Sequence, residues 1–269
     1  MKIEGKKVLI TGASSGIGLA LSKSLAKKGA ILALTSRRET VLQDVARDIS
    51  SAFPHIMTPL VIGCDVSIQK SVDNLIRNCV DHLGGIDILI NNAGISVYGS
   101  TEKTTIEDFH SVMEVNYFGA LYCMLQVIPH MKSQGKGLIV NIASVVAKHG
   151  VPYLGAYSAS KAALVAVSKS LRAELSQDGI RIMNVFPGYT RTNIFESEKK
   201  VGGARRPKYH YASATTVANT IIKGIERGDR DLILTLTGKA LPIFRRLLPS
   251  IVEKVMERMA VKLRDTQEV

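Results

Sequence analysis

The sequence predicts an α/β protein with a doubly wound, mainly parallel seven-stranded sheet and helices on both faces. Short β-branched runs alternate with longer stretches of helical periodicity, and several of the short runs are almost continuously apolar. Strands buried on both faces of a parallel sheet have that character, and repeated strand, crossover helix, strand is how such a sheet is wound. The bulk agrees. A chain of 269 residues, 46% hydrophobic and without Trp, suits one sizeable α/β core and is poor in the aromatic residues of a β-sandwich.

Taken in order, the expected strands cover residues 7–11, 31–36, 60–65, 86–91, 137–142, 181–186 and 231–236. Helical periodicity fills residues 17–28, 39–51, 67–83, 105–132, 153–177 and 216–227 between them. No repeat or low-complexity linker divides the chain, so residues 1–237 read as a single domain. Residues 189–212, rich in Gly, Arg, Lys and Tyr, form an insertion too long for a plain connection and read as a substrate loop. Residues 238–269 read as a helical extension.

The first strand runs into Thr11-Gly12-Ala13-Ser14-Ser15-Gly16-Ile17-Gly18 and then directly into a helix. Glycines there allow a tight turn and close approach of backbone to a pyrophosphate, and the helix N-terminus offers amides and partial positive charge to that anion. The spacing is GxxxGxG rather than GxGxxG, but its place in the first strand–helix unit makes this a Rossmann-like nucleotide site. After the second strand comes Ser36-Arg37-Arg38-Glu39, with no acid at the strand end. An acid there would suit the ribose hydroxyl of NAD, whereas Ser36 and Arg37 suit a 2′-phosphate, so the favoured cofactor is NADP(H). The other reading of Arg37 and Arg38 is decoration at the start of a solvated helix.

Tyr157 and Lys161 stand four residues apart on one face of an expected helix, in the small-residue stretch Gly155-Ala156-Tyr157-Ser158-Ala159-Ser160-Lys161. A free tyrosine titrates near 10, and a neighbouring ammonium favours its phenolate, so Lys161 is expected to pull Tyr157 toward neutrality. Ser144 ends the fifth strand, where parallel sheets bind ligands, and its hydroxyl can hold charge developing on a substrate oxygen. Its plainer role is to cap a turn. Asn116 is a polar residue in a largely apolar helix and needs a partner if buried.

With the glycine turn, Asn91-Asn92-Ala93-Gly94, Asn116, Ser144 and Tyr157-x-x-x-Lys161 in this order, the chain resembles the short-chain dehydrogenase/reductase family over roughly residues 6–236. The resemblance implies that Tyr157 is the general acid/base and that Lys161 binds the nicotinamide ribose and tunes Tyr157. It implies further that Ser144 orients the carbonyl and that Asn116 supports a proton relay. For the cofactor it implies Gly12, Ser14, Ser15, Gly16, Ile17 and Gly18 at the pyrophosphate, with Ser36 and Arg37 beyond. Asp65 and Val66 would meet the adenine, and Asn92, Ala93 and Gly94 its ribose. Pro187, Gly188, Thr190 and Thr192 would face the nicotinamide. Asp65 otherwise reads as a turn or helix cap.

The net charge is +12, and half of that excess lies in residues 195–269, with 15 Lys and Arg against 9 Asp and Glu. No nucleic-acid motif accompanies it, so nucleic acid is not an expected partner. Beyond residue 238 the apolar residues Phe244, Leu247, Leu248, Ile251, Val252, Val255, Met256, Met259 and Leu263 recur at helical steps, with basic residues on other faces. Pro249 suits the start of a second helix. This amphipathic, basic extension fits packing on the body or on a second subunit. It also fits a peripheral membrane contact through residues 238–264. A homo-oligomer, dimer or tetramer, is expected.

Cys64, Cys79 and Cys123 have no metal-ligand spacing and read as small apolar fillers of a reduced protein. Residues 1–7 are short and charged, unlike an export signal, and no apolar run spans a bilayer, so the expected location is cytoplasmic, with or without a membrane surface. The function expected is reduction of a ketone or aldehyde, or oxidation of the alcohol, on a small-molecule substrate of lipid-like or acyl character. The alternative is a catalytically idle nucleotide-binding or scaffold protein of the same fold. Tyr98, His149, Tyr153, Leu154, Tyr189 and the loop 195–211 are expected around the substrate, although the favoured reading of His149 is a surface residue.

Overall fold

The structure, a computed structural model, describes residues 1–192, 194, 198–206 and 211–264. Parts of the expected substrate loop, among them Phe195 and Lys208, and the last residues of the extension lie outside this set. The strands are β1 (Lys7–Thr11), β2 (Ile31–Ser36), β3 (Leu60–Gly63), β4 (Ile88–Asn91), β5 (Val97–Gly99), β6 (Gly137–Ile142), β7 (Ile180–Phe186), β8 (Thr190–Arg191), β9 (Lys199–Val201), β10 (Ala212–Ser213) and β11 (Asp231–Ile233). Seven of them form one parallel sheet in the order β11-β7-β6-β4-β1-β2-β3.

The helices are α1 (Gly16–Ala26), α2 (Glu39–Ala52), α3 (Gln69–Leu83), α4 (Ile106–Met113), α5 (Gly119–Ser133), α6 (Gly155–Glu174), α7 (Ala214–Arg227), α8 (Leu236–Leu247) and α9 (Pro249–Leu263). One core packs α1, α2 and α7 on the sheet through Leu21, Leu25, Leu42, Ile49, Val217 and Ile221. The other packs α3, α5 and α6 on the opposite face through Val72, Leu75, Cys79, Cys123, Val127 and Leu164. Chain order reverses direction between β1 and β4, which opens a crevice at the carboxyl ends of these strands.

Three departures from the sequence reading have local causes. The third strand stops at Gly63 rather than residue 65, because the Asp65 carboxylate accepts from Ser67 N at 3.0 Å and Ser67 Oγ at 2.7 Å and turns the chain into α3. The last strand stops at Ile233, because the Thr235 hydroxyl accepts from Gly238 N at 3.0 Å and caps α8. The helical extension therefore begins at Leu236, two residues before the expected 238. The single helix expected over 105–132 is interrupted at Glu114–Phe118 by a π turn that carries Asn116 inward. One extra residue in a turn shifts the phase of the apolar pattern by about 100°, but in a helix apolar on most sides that shift does not stand out.

The insertion after β7 is held by short parallel pairings at both ends. β8 pairs with β10, and β9 pairs with β5. Pro249 occupies the first turn of α9, as expected.

Candidate active site

The crevice is a cleft of about 620 Å³ that reaches from the glycine turn to the N-terminal part of α6. At its first end, the Thr11 hydroxyl accepts from the amides of Asn92 and Ala93, each at 3.0 Å. The Asn92 amide group returns the contact, donating to Thr11 O at 3.0 Å and Gly12 O at 3.1 Å. The two strand ends thus hold the turn open toward the cleft. Gly12 has φ +65°, and a Cβ there would stand 2.9 Å from the Ala93 Cα. A side chain on Gly18 would run into the Gly12 carbonyl. Among the described residues no side chain caps α1, and its first turn holds no acid, so its N-terminal amides face the cleft uncompensated.

Beyond the turn, Ser36, Arg37 and Arg38 line the cleft. Arg38, which the sequence left as surface decoration, donates from Nη2 to Ser14 Oγ at 3.0 Å, and its backbone amide donates to Ser36 Oγ at 3.1 Å. Asp65 and Val66 form the neighbouring wall with Cys64. Asp65 is thus both the turn-forming residue and a residue of the cleft wall.

At the other end, β6 delivers Ser144 and α6 delivers Tyr157 and Lys161. Ser144 is the N-cap of a short 3₁₀ turn, its hydroxyl accepting from Val146 N at 3.4 Å. Lys161 is 4% exposed and donates from Nζ to Ile142 O at 2.9 Å. Its ammonium lies 5.8 Å from the centre of the Tyr157 ring. Burial pushes the Tyr157 phenol up to about 12, and a hydrogen bond with Ser144 pulls the other way. Burial also brings Lys161 down to about 8. The expected lowering of Tyr157 by Lys161 is not found: desolvation sets the direction, and the opposing pull comes from Ser144.

Asn116, 1% exposed, stands behind the cleft wall instead of lining it. Its Oδ1 accepts from Ile95 N at 2.8 Å, and its Nδ2 donates to Ile95 O at 2.9 Å and to Ser160 Oγ at 3.0 Å. The amide so clamps the chain after Gly94 to the turn of α6 between Tyr157 and Lys161. Deeper, Asn91 Nδ2 donates to Asn141 Oδ1 at 2.9 Å, and Asn141 Nδ2 donates to Ser168 Oγ at 2.8 Å, tying β4, β6 and α6 together. Sequence reasoning passed over Asn141 and Ser160. A polar residue inside an apolar strand, and serines on the buried side of a helix, were the available signals.

Every expected cofactor residue lines the cleft except Gly18, which supports the turn from behind. Of the expected substrate wall, Leu154 and Tyr189 line it. Tyr98, His149 and Tyr153 do not: the Tyr98 hydroxyl donates to Arg205 O, and the Tyr153 hydroxyl to Ala260 O, each at 2.9 Å. Ile95, Ser96, Val145, Val146 and Ile194 complete a mostly apolar surface near Ser144. Cys64, Cys79 and Cys123 are free and buried, and none of the described His, Cys, Asp and Glu side chains cluster as metal ligands.

Comparison with known proteins agrees with this architecture. The family profile described as short chain dehydrogenase matches residues 6–201. The chain is 36% identical over 272 residues to a dehydrogenase/reductase SDR family protein 7-like of Anopheles gambiae, covering 98% of this chain and 86% of that one. Among solved structures, a short chain dehydrogenase from Burkholderia cenocepacia in complex with NADP superposes with a TM-score of 0.81 at 25% identity, over 95% of this chain and 99% of that one. A short chain dehydrogenase/reductase from Burkholderia phymatum in complex with NAD shares the fold, with a TM-score of 0.83 at 24% identity over 93% and 96% of the two chains. Seven parallel strands, a glycine turn at the crevice and a Tyr157–Lys161 pair at its far end place the chain in the short-chain dehydrogenase/reductase family of oxidoreductases.

Proposed function

We propose that this oxidoreductase uses NADP(H) to reduce a ketone or aldehyde, or to oxidise the corresponding alcohol, on an apolar substrate of lipid-like or acyl character. The convergence of the Ser144 and Tyr157 hydroxyls and the Lys161 ammonium at one end of a cleft carries the reading. The glycine turn, the uncapped α1 N-terminus and the Arg37–Arg38 pair occupy its other end and fit the phosphates of a dinucleotide. Absence of an acid at the end of β2, with Arg38 drawn over Ser14, supports a 2′-phosphate there. The apolar wall of Val145, Val146, Leu154 and Ile194 supports a greasy substrate.

A nicotinamide held in the cleft would supply hydride exchange with the substrate carbon. The chain's own part is proton transfer and positioning. Ser144 donates a hydrogen bond to the substrate oxygen and holds charge that develops there. Tyr157, protonated at neutral pH because burial keeps its phenol high, gives its Oη proton to the same oxygen in the reductive direction. Lys161 remains mostly charged at pH 7 and favours the phenolate left behind. Asn116 and Ser160 hold this turn of α6 against the Gly94–Ile95 chain, which is how Asn116 supports the relay. The three buried free cysteines support a reducing, cytoplasmic location.

Consumption of NADPH and NADH by the purified chain with ketoacyl, sphingoid, steroid and small aromatic carbonyls tests the reading. Turnover with NADPH is expected, and Tyr157→Phe is expected to lower it by about 10²–10⁴-fold with cofactor binding retained. Turnover unchanged in Tyr157→Phe would remove Tyr157 from the chemistry. Cofactor binding without turnover of any carbonyl would favour the idle, nucleotide-binding alternative.

A further inference from the structure

The C-terminal hairpin of α8 and α9 carries an apolar face that the body leaves uncovered. On α9 the residues Val252, Met256, Met259 and Leu263 turn toward the body and are half-buried or buried. At about 100° per residue, Ile251 and Val255 lie to one side of that inner face. They are 57% and 52% exposed. Phe244, Leu247 and Leu248 at the end of α8 are exposed as well, Leu247 at 69%. So many large apolar side chains on one hairpin exceed the scattered exposure usual for a monomer surface.

Charge on the hairpin is sorted. Residues 236–264 contain 7 Lys and Arg against 2 Asp and Glu. By the same helical geometry, Arg258 and Lys262 continue the Ile251–Val255 face of α9, whereas Glu253 and Glu257 fall on the far side. An apolar strip edged with cations, its acids turned away, is complementary to anionic headgroups over an acyl interior. A second copy of the same hairpin would bring like charges together, in a chain already at +12. No described helix is long and apolar enough to cross a membrane, so the contact this face can make is interfacial.

The hairpin is fixed to the rim of the substrate end of the cleft. At its start, a Cβ on Gly238 would stand 2.7 Å from Val145 Cγ1, the residue after Ser144. At its end, Tyr153 Oη donates to Ala260 O and Arg205 N to Leu263 O, each at 2.9 Å. We propose that the α8–α9 hairpin is a docking surface for an anionic lipid bilayer, holding the substrate end of the cleft beside the membrane.

Co-sedimentation of the full chain with phosphatidylcholine vesicles, with and without phosphatidylglycerol, tests this. The chain is expected to sediment with the anionic vesicles, less with neutral ones, and progressively less as salt is raised. Arg258→Glu with Lys262→Glu is expected to weaken partitioning at least about tenfold. Ile251→Glu with Val255→Glu, checked for native circular dichroism, is expected to abolish it. Tyr157→Phe is expected to sediment like the unaltered chain, so a failed carbonyl screen leaves this test independent. Failure to bind anionic vesicles, or binding by both double variants equal to that of the unaltered chain, overturns the proposal. So does light scattering that shows a dimer split by the Ile251→Glu, Val255→Glu pair, which would assign the face to a second copy.

Discussion

Replacing the buried ammonium of Lys161 by the thioether of Met separates the energetic role of that residue from any catalytic one. In the unfolded chain the lysine keeps its proton until about pH 10.5, whereas in the fold burial lets it go at about 8. Between those values the unfolded chain binds more protons, so stability rises with pH through that window. Each tenfold shift in the proton equilibrium is worth about 1.4 kcal/mol, so the buried charge costs about 3 kcal/mol near pH 7. From pH 8 to pH 10 about 2 kcal/mol of that cost is relieved. Lys161→Met has no such charge but leaves the Ile142 carbonyl without its donor, a loss of about 1.5–3 kcal/mol. The two effects nearly cancel at pH 7, and the variant is expected to be about as stable as the unaltered chain there. Urea unfolding of both proteins without cofactor, followed by circular dichroism at intervals from pH 7 to pH 10, isolates Lys161, because every other group is common to both. The stability difference is expected to move by about 2 kcal/mol in favour of the lysine protein as pH rises from 8 to 10. A difference that stays flat across that range would refute the assignment of the depressed Lys161 titration to burial.

If the proposed 2′-phosphate sits at Arg38, which reaches Ser14 Oγ, Arg38→Ala is expected to raise KM for NADPH about tenfold or more and to change KM for NADH little. Equal changes for both cofactors would mean that Arg38 only shapes the turn. Gly18→Ala drives a methyl group into the Gly12 carbonyl and should remove dinucleotide binding, measured by fluorescence titration, at a stability loss of about 1–3 kcal/mol. Tyr153→Phe loses the hydroxyl contact to Ala260 and is expected to lower stability by about 1 kcal/mol, with faster proteolysis within α9. Unchanged digestion would show that Leu263 and Arg205 alone hold the hairpin.

What could be read in the sequence, and what could not, divides along the range of the interactions involved. β1, β2 and β6 begin and end at the expected residues, because burial on both faces makes these runs almost continuously apolar, and the polar side chain inside β6, Asn141, is paired with Asn91 and Ser168. Tyr157 and Lys161 were legible for a related reason: four residues on a helix fix their relative placement locally. Arg37 and Arg38 are neighbours with the same chemistry, and what distinguishes them is Ser14, 24 residues away, to which Arg38 reaches. Tyr98 and Tyr153 sit close to the site in sequence yet turn their hydroxyls to carbonyls of Arg205 and Ala260, each 107 residues further on. No local pattern records such distant partners. The π turn at Asn116 is a different case, since an inserted backbone turn alters direction without altering composition.

Ser144 and Asp65 bear on how such residues should be weighed. Each had a structural reading and a functional one, and each fulfils the structural reading while lining the cleft. That coincidence has a physical cause. A polar side chain at the buried end of a parallel strand must find a partner, and the nearest unsatisfied groups are the amides of the following turn. The bond that caps the turn also restrains the side chain's rotamer while the residue lines the crevice. Structural capping is thus a means of preorganising the site, and evidence for one role does not count against the other. Lys161 shows the same economy: the Ile142 carbonyl that makes its burial tolerable also sets where its ammonium stands relative to Tyr157. Substitutions at these positions should therefore move stability and turnover together, and a variant that changed only one of the two would separate roles that the fold has made one.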